Sequence, residues 1–398
     1  MRALILAAAV SCVVCSTLLA QGTFPLGYRE VDPFTLPALG LAARAATAKA
    51  EKPGEIVGVP AAASAAVAYY DLGLGGKPRW AAVVAGSPWE LYVDADGDND
   101  LSDEKAVPGK AGKHDVSFGV IRVLTAGGQP VQASLSAYFP EPGKPPGALT
   151  LRSAGGYTGK VELAGQTYLV ALVDANFNGR YDDAFTGPSV GGGDDVIAID
   201  CNRDGRLNQL GIGGESCEWT PLCRAVRVGD AYYRVTVPPE GSSIRFEKTE
   251  PKFGTLEFPV PHVEFAAFSD HGYVHLRTAD GKARLPAGRY DPVTVILSRT
   301  DESGAAWTIR RSGYSNKPNL VEVRPDETCR LELGPPLVAD TKTRQHDRTV
   351  AIYLSLTGRA GADYAGGILK DAKQVPAPGF QVLDEAGKVI HTGRFDYG

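Results

Sequence analysis

From Ala61 onward the chain alternates short apolar runs with turn signals about every 8 to 15 residues, a spacing that predicts strands and tight reversals. Trp89–Val93, Val116–Leu124, Val131–Tyr138 and Thr167–Val173 read as strands, and Ala225–Val228 with Ala231–Val237 reads as a hairpin about Gly229-Asp230. A second block opens near Pro251, with Tyr273–Arg277, Tyr290–Ser298, Trp307–Arg311 and Ala351–Thr357 alternating apolar with polar residues. Its last hairpin, Phe380–Leu383 with Lys388–Thr392, turns on Asp384-Glu385-Ala386-Gly387. Gln21 to Pro60 is rich in Ala, Pro and Gly without a sustained period, and Leu41–Lys52 predicts a short Ala-rich helix. The expectation is an all-β chain with little helix: a lead-in over 21–60, a β domain over 61–250 and a β-sandwich over 251–398.

Composition supports this. The 47 glycines and 28 prolines among 398 residues exceed the average shares of about 7% and 5%. Inside helices they cost roughly 1 and 3 kcal/mol each. With 43% hydrophobic and 22% charged residues there is material for packed cores. A net charge of −5, with basic residues scattered, argues against a nucleic-acid partner.

Met1 and Arg2 precede an apolar run, Ala3–Val14, and small residues up to Ala20. This is the anatomy of a secretory signal peptide over residues 1–20, and it places the protein outside the cell or in a bacterial periplasm or envelope. Membrane attachment would need a lipid on Cys12 or Cys15, whose upstream residues fit a lipobox poorly. Beyond the leader, Cys201, Cys217, Cys223 and Cys329 allow two disulfides, the short loop Cys217–Cys223 being the first choice.

One pattern occurs three times, each time after an apolar strand. It begins at Asp94, Asp174 and Asp200. Position 3 holds Asp96, Asn176 and Asn202; position 5 holds Asp98, Asn178 and Asp204; position 6 holds Asn99, Gly179 and Gly205. Alternate oxygen-bearing side chains at 1, 3 and 5 converge on one cation, and position 6 allows the sharp turn this requires. Position 7 (Asp100, Arg180, Arg206) would lend its backbone carbonyl and position 9 (Ser102, Asp182, Asn208) its side chain. The apolar residue at 8 (Leu101, Tyr181, Leu207) would return to the core. Six carboxylates lie between Asp94 and Glu104, a density that repels itself unless a cation screens it.

Over about nine residues these loops resemble EF-hand and dockerin-type calcium loops, which implies Ca2+ as the ion. The resemblance stops at position 12, where the bidentate Glu is replaced by Lys105, Phe185 and Gly211, leaving Asp103, Glu104, Asp183 or a distant carboxylate as substitutes. The weak affinity this implies, about 10⁻⁴–10⁻³ M, suits a structural ion. The run Gly159–Tyr168 through Asp174 to Asp200, with the hairpin Val226–Val237, is similar to β-domains of exported bacterial proteins. Leu285-Pro286-Ala287-Gly288-Arg289-Tyr290 resembles the bend of Ig-like and transthyretin-like modules.

Catalytic motifs are weak. Gly187-Pro188-Ser189-Val190-Gly191 matches G-x-S-x-G in letters, but an acidic loop stands where a strand is needed. His271 and His275 have helical ligand spacing in β-like surroundings, which favours a hairpin over a zinc site. The expectation is an exported, non-catalytic calcium-binding protein of structural, adhesive or envelope-associated role, with a protein or glycan partner. The alternative is a secreted hydrolase, possibly polysaccharide-active, with carboxylates in an inter-domain groove.

Overall fold

The computed structural model describes residues 21–30, 43–59, 66–124, 130–138, 144–187, 194–207, 218–312, 320–347, 349–364 and 367–396. The protein is all-β, with 58% of the described residues in strands. Among the described residues the helical turns are two short 3-10 turns, Leu74–Gly76 and Arg359–Gly361, and no helix is long and apolar enough to cross a membrane.

Nine strands between Ala43 and Ser153 form one sheet. At one end Val107–Pro108 pairs with Glu90–Val93, and at the other Lys110–Ala111 pairs with Asp115–Leu124. The two short strands are separated by Gly109 alone, so one kinked segment joins both ends and the sheet closes on itself. A Cβ on Gly109 would stand 2.8 Å from Val116, 2.9 Å from Phe118 and 3.0 Å from Trp89, which leaves room for glycine alone. Closure removes the open edges at which strands aggregate. The interior holds Tyr70, Leu72, Val83, Leu91, Phe118, Leu135 and Leu151, all essentially inaccessible.

Ala43–Lys49 is a strand in this sheet, not the helix its alanines predict. Arg152 to Ala148 pair with Ala43 to Thr47 on one side, and Ala48 and Lys49 pair with Tyr70 and Tyr69 on the other. Alanine's helix advantage over most residues is below about 1 kcal/mol, less than a ladder shared with two neighbours supplies. Two further strands of the early segment pair with later ones. Gln21–Pro25 pairs with Ser243–Thr249, and Gly27–Glu30 pairs with Gly155–Leu163.

Two further sheets meet face to face. Five strands run in the order Trp219–Pro221, Val196–Ile199, Gln166–Val173, Gly155–Leu163, Gly27–Glu30. Four run Gln21–Pro25, Ser243–Thr249, Ala231–Thr236, Ala225–Val228. Val161, Val170, Leu172 and Ile197 of the first pack on Val226, Tyr233, Ile244 and Phe246 of the second. The opposite face of the five-stranded sheet, with Ala171, Val173, Ala198 and Trp219, packs on Ala266, Phe268 and Val293. Val170–Val173 is therefore buried on both faces, the reason this strand is a continuous apolar run without alternation.

Beyond Pro251 a three-stranded sheet, Lys282–Pro286, Phe253–Glu257 and Thr328–Arg330, covers a larger sheet built on His262–Ser269 and Gly288–Thr300. Leu256, Phe265, Leu285, Tyr290, Val295 and Leu297 form their shared core. Two hairpins, Val338–His346 with Thr349–Thr357 and Gly379–Leu383 with Val389–Arg394, are separate two-stranded sheets. Cys201, Cys223 and Cys329 are free thiols, and Cys217 lies outside the described residues.

Candidate metal centre

Each of the three acidic loops leaves a buried strand end, and its first acid is buried with it: Asp94, Asp174 and Asp200 are 0%, 3% and 3% exposed. A buried carboxylate needs hydrogen-bond donors, and the loop curls to supply them. Gly97 N–H donates to Asp94 Oδ1 (2.6 Å) and Asn99 N–H to Oδ2 (3.3 Å). In the second loop Phe177 N–H donates to Asp174 Oδ1 (2.6 Å) and Gly179 N–H to Oδ2 (2.7 Å). In the third, Asp204 N–H donates to Asp200 Oδ1 (3.0 Å) and Gly205 N–H to Oδ2 (2.8 Å).

The side chains at positions 3 and 5 each accept the N–H two residues on. Asp98 N–H reaches Asp96 (3.3 Å), Asn178 N–H reaches Asn176 (2.9 Å) and Asp204 N–H reaches Asn202 (2.8 Å). Asp100, Arg180 and Arg206 donate likewise to Asp98, Asn178 and Asp204. Such a path needs left-handed backbone twice. Position 6 has φ of 68° (Asn99), 80° (Gly179) and 80° (Gly205); position 4 has 87° (Gly97), 63° (Phe177) and 60° (Arg203). The second left-handed position went unread in the sequence because Phe177 and Arg203 disfavour that conformation. Leu101, Tyr181 and Leu207 are all buried.

The loops differ in what their side chains do next. In the first, ligand oxygens of Asp94, Asp96 and Asp98 lie within 4.8 Å of one another, a spacing that one divalent cation can span. Asp100 is engaged by the N–H and Oγ of Ser102 (2.7 and 2.6 Å), which hold its carboxyl below the usual range. Glu104 turns back to accept Ala95 N–H (2.5 Å), and burial together with Asp96, Asp103 and Asp94 pushes its carboxyl up. Asp103 is exposed. A buried Arg79 stands 3.7 Å from Asp94 Oδ1 and donates to the Asp94 and Leu124 carbonyls (3.2 and 2.9 Å). It neutralises part of the loop's charge.

In the second loop Asp183 Oδ2 gathers the side-chain amides of Asn176 (2.9 Å) and Asn178 (2.7 Å). Hydrogen bonds to one carboxylate thus do there what a cation would do between carboxylates. Asp182 faces outward in a fork with Arg180 (3.0 and 2.8 Å). In the third loop Asn202 and Asp204 are exposed, Arg206 contributes its backbone, and Asn208 lies outside the described residues. The donor set of the first loop, all hard oxygens with three convergent carboxylates, fits Ca2+ best; the second is the most self-satisfied.

Sheet pairing adds acids that spacing along the chain did not reveal. Val173 pairs with Val196 in antiparallel register, so the residue after one strand, Asp174, stands beside the residue before the other, Asp195. Asp195 is 1% exposed and accepts N–H groups of Asp183 (2.8 Å) and Ala175 (3.3 Å). Burial raises Asp174 to about 7, and burial together with the neighbouring Asp174 charge raises Asp195 to about 9. Asp194 accepts Thr186 N–H and Oγ1–H (3.0 and 2.9 Å). The only early signal was the Asp194-Asp195 doublet at the head of an apolar run.

His271 and His275 do not converge: His271 Nε2 meets the Ala287 carbonyl (3.0 Å) and His275 Nε2 meets Glu264 (3.1 Å), both in the hairpin His262–Ser269 with Gly272–Thr278. Most of the Gly187–Gly191 motif lies outside the described residues. No family model, curated protein or solved structure matches the chain.

Proposed function

We propose that this is an exported calcium-binding protein of structural, adhesive or envelope-associated role, in which Ca2+ locks strand ends and catalysis plays no part. The carrying observation is the first loop, where Asp94, Asp96 and Asp98 converge within 4.8 Å on a backbone path repeated in two other loops. Those three carboxylates, aided by a backbone carbonyl of the loop, would hold the ion; bound there it would cancel their mutual repulsion. Because an ion binds the folded loop and not the unfolded chain, its binding energy adds to folding energy. The leader at residues 1–20, outside the described part, supports export, and millimolar extracellular calcium suits a site without the bidentate clamp.

A thermal melt of the purified chain in millimolar calcium and in chelator, with calcium titration by calorimetry, tests the reading. A raised melting temperature with about one or more ions bound is expected. An unchanged melt together with no binding heat overturns it.

The hydrolase reading would need carboxylates converging in a cleft away from these loops. A groove of about 860 Å³ runs beside Trp307, Pro335 and Pro336 and holds Asp301 and Glu302. Asp301 is committed to Ser303, Ala305 and the Trp307 indole N–H (2.7 Å), which hold its carboxyl far below the usual range. That acid is a structural clasp for the Trp307 ring.

A further inference from the structure

The geometry points to a two-fold pairing of the strand Thr349–Thr357 with the same strand of a second copy of this chain. The strand and its partner Val338–His346 form a hairpin paired over its whole length, from His346↔Thr349 to Val338↔Thr357. An isolated two-stranded ribbon is marginally stable in water and gains most from a third strand.

One edge is available. Leu356 and Gly358 use their outward groups at the far end: Tyr364 N–H donates to the Leu356 carbonyl (2.7 Å) and Gly358 N–H to that of Ala362 (2.8 Å). Strand groups alternate in direction, so Val350, Ile352 and Leu354 present theirs on that same side. Among the described residues no strand pairs with them. Edges are ordinarily protected by charge, proline or bulges. Thr349–Thr357 reads TVAIYLSLT and carries none of these, with Val350 and Tyr353 each 56% exposed. The opposite edge is Val338–His346, which carries Asp340, Lys342, Arg344 and His346.

Charge decides the occupant. In an antiparallel pairing centred on Ile352, Val350 faces Leu354 of the second copy, Ala351 faces its Tyr353, and Ile352 faces itself. No like charges meet, and both basic strands stay at the outer edges of the resulting four-stranded sheet. Pairing through the other edge would bring Lys342 and Arg344 of both copies together. The free stretch is symmetric about Ile352 and ends where Tyr364 covers Leu356, so its complement is a stretch of equal length, which a second copy supplies. Val350, Ile352 and Leu354 also line a groove of about 880 Å³ with Phe380, Val382 and Phe395. The pairing would continue that apolar face across both copies.

Sedimentation of the purified full chain across a concentration series reads the association directly. A dimer is expected, and Val350→Lys and Ile352→Lys should each weaken it by about tenfold or more, since lysines would then enter the seam. Val350 is exposed, so its substitution should leave the circular dichroism of the folded chain unchanged. Ile352→Cys should give a disulfide-linked dimer on mild oxidation beyond that of the unsubstituted chain. Directly opposed hydrogen-bonded residues have Cα atoms about 5.5 Å apart, within disulfide reach. Tyr353→Cys, opposite Ala351, should link more slowly. A monomer at every concentration, a dimer indifferent to both lysines, or equal linking at 352 and 353 overturns the pairing.

Discussion

Phe177 and Tyr181 stand four positions apart in the second acidic loop and are buried in two different hydrophobic cores. Phe177 enters the closed nine-stranded sheet beside Leu72 and Leu74, whereas Tyr181 packs with Tyr157 between the two stacked sheets, ring centroids 4.9 Å apart. Four residues further, Phe185 joins the third core with Trp219 and Phe268. The loop is a peg through three packed units, held on one side by Arg44, whose guanidinium lies 5.5 Å from the Phe177 ring centre.

Phe177→Ala should therefore cost about 3–5 kcal/mol, the range for an aromatic removed from a core. Denaturant unfolding would measure it. A cost near zero would mean that the loop does not pin the closed sheet.

The loops should not contribute equally to calcium stabilisation. Replacing Asp94 and Asp98 by Ala should remove more of the calcium-dependent rise in melting temperature than replacing Asn176 and Asn178, whose amides already satisfy Asp183. The readout is the increment between calcium and chelator for each variant, since Asp94→Ala also loses two backbone hydrogen bonds. The opposite ranking would place the principal ion in the second loop.

The calcium-free protein should weaken as pH rises. Asp174 and Asp195 titrate near 7 and 9 when folded, against an ordinary value of 3.8. Groups raised on folding give their full contribution below the unfolded value and lose it as pH climbs through the folded ones. In chelator, melts should fall between pH 5 and pH 8, and Asp195→Asn should flatten that decline. A wild-type profile no steeper than that of Asp195→Asn would show that this buried pair does not set it.

Glycine has two separable roles in the loops. A Cβ on Gly97 would lie 2.5 Å from Arg79 Nη1, and Arg79 is pinned by the Asp94 and Leu124 carbonyls, whereas a Cβ on Gly205 meets nothing within 4 Å. Both have left-handed φ, 87° and 80°. Gly205→Ala should cost only the backbone strain, about 1–2 kcal/mol, and Gly97→Ala distinctly more. Equal costs by denaturant unfolding would show that Arg79 yields freely.

The loops were legible in the sequence because their geometry is local: an acid at 1, oxygens at 3 and 5, and an apolar residue at 8 all act within nine residues. Asp195, Arg44 and Arg79 were not, since strand pairing brings them from 21, 130 and 15 positions away to Asp174, Asp174 and Asp94. The all-β class followed from alternation and turns. Ala43–Lys49 misled because alanine's small intrinsic preference speaks before the neighbouring strands do. Gly109 gave no hint that it closes a sheet, because the crowding around it comes from Trp89, Val116 and Phe118.

The register that sets Gln21 opposite Glu247 and Pro25 opposite Ser243 has a consequence in time. Contacts so distant in sequence form late, because the loop between them must be closed first. A chain emerging N-terminus first presents Gln21–Pro25 long before its partner exists. The four-stranded sheet that Gln21–Pro25 edges is therefore completed only once residue 249 has been made, whereas the closed sheet between Ala43 and Ser153 has all its strands on hand long before.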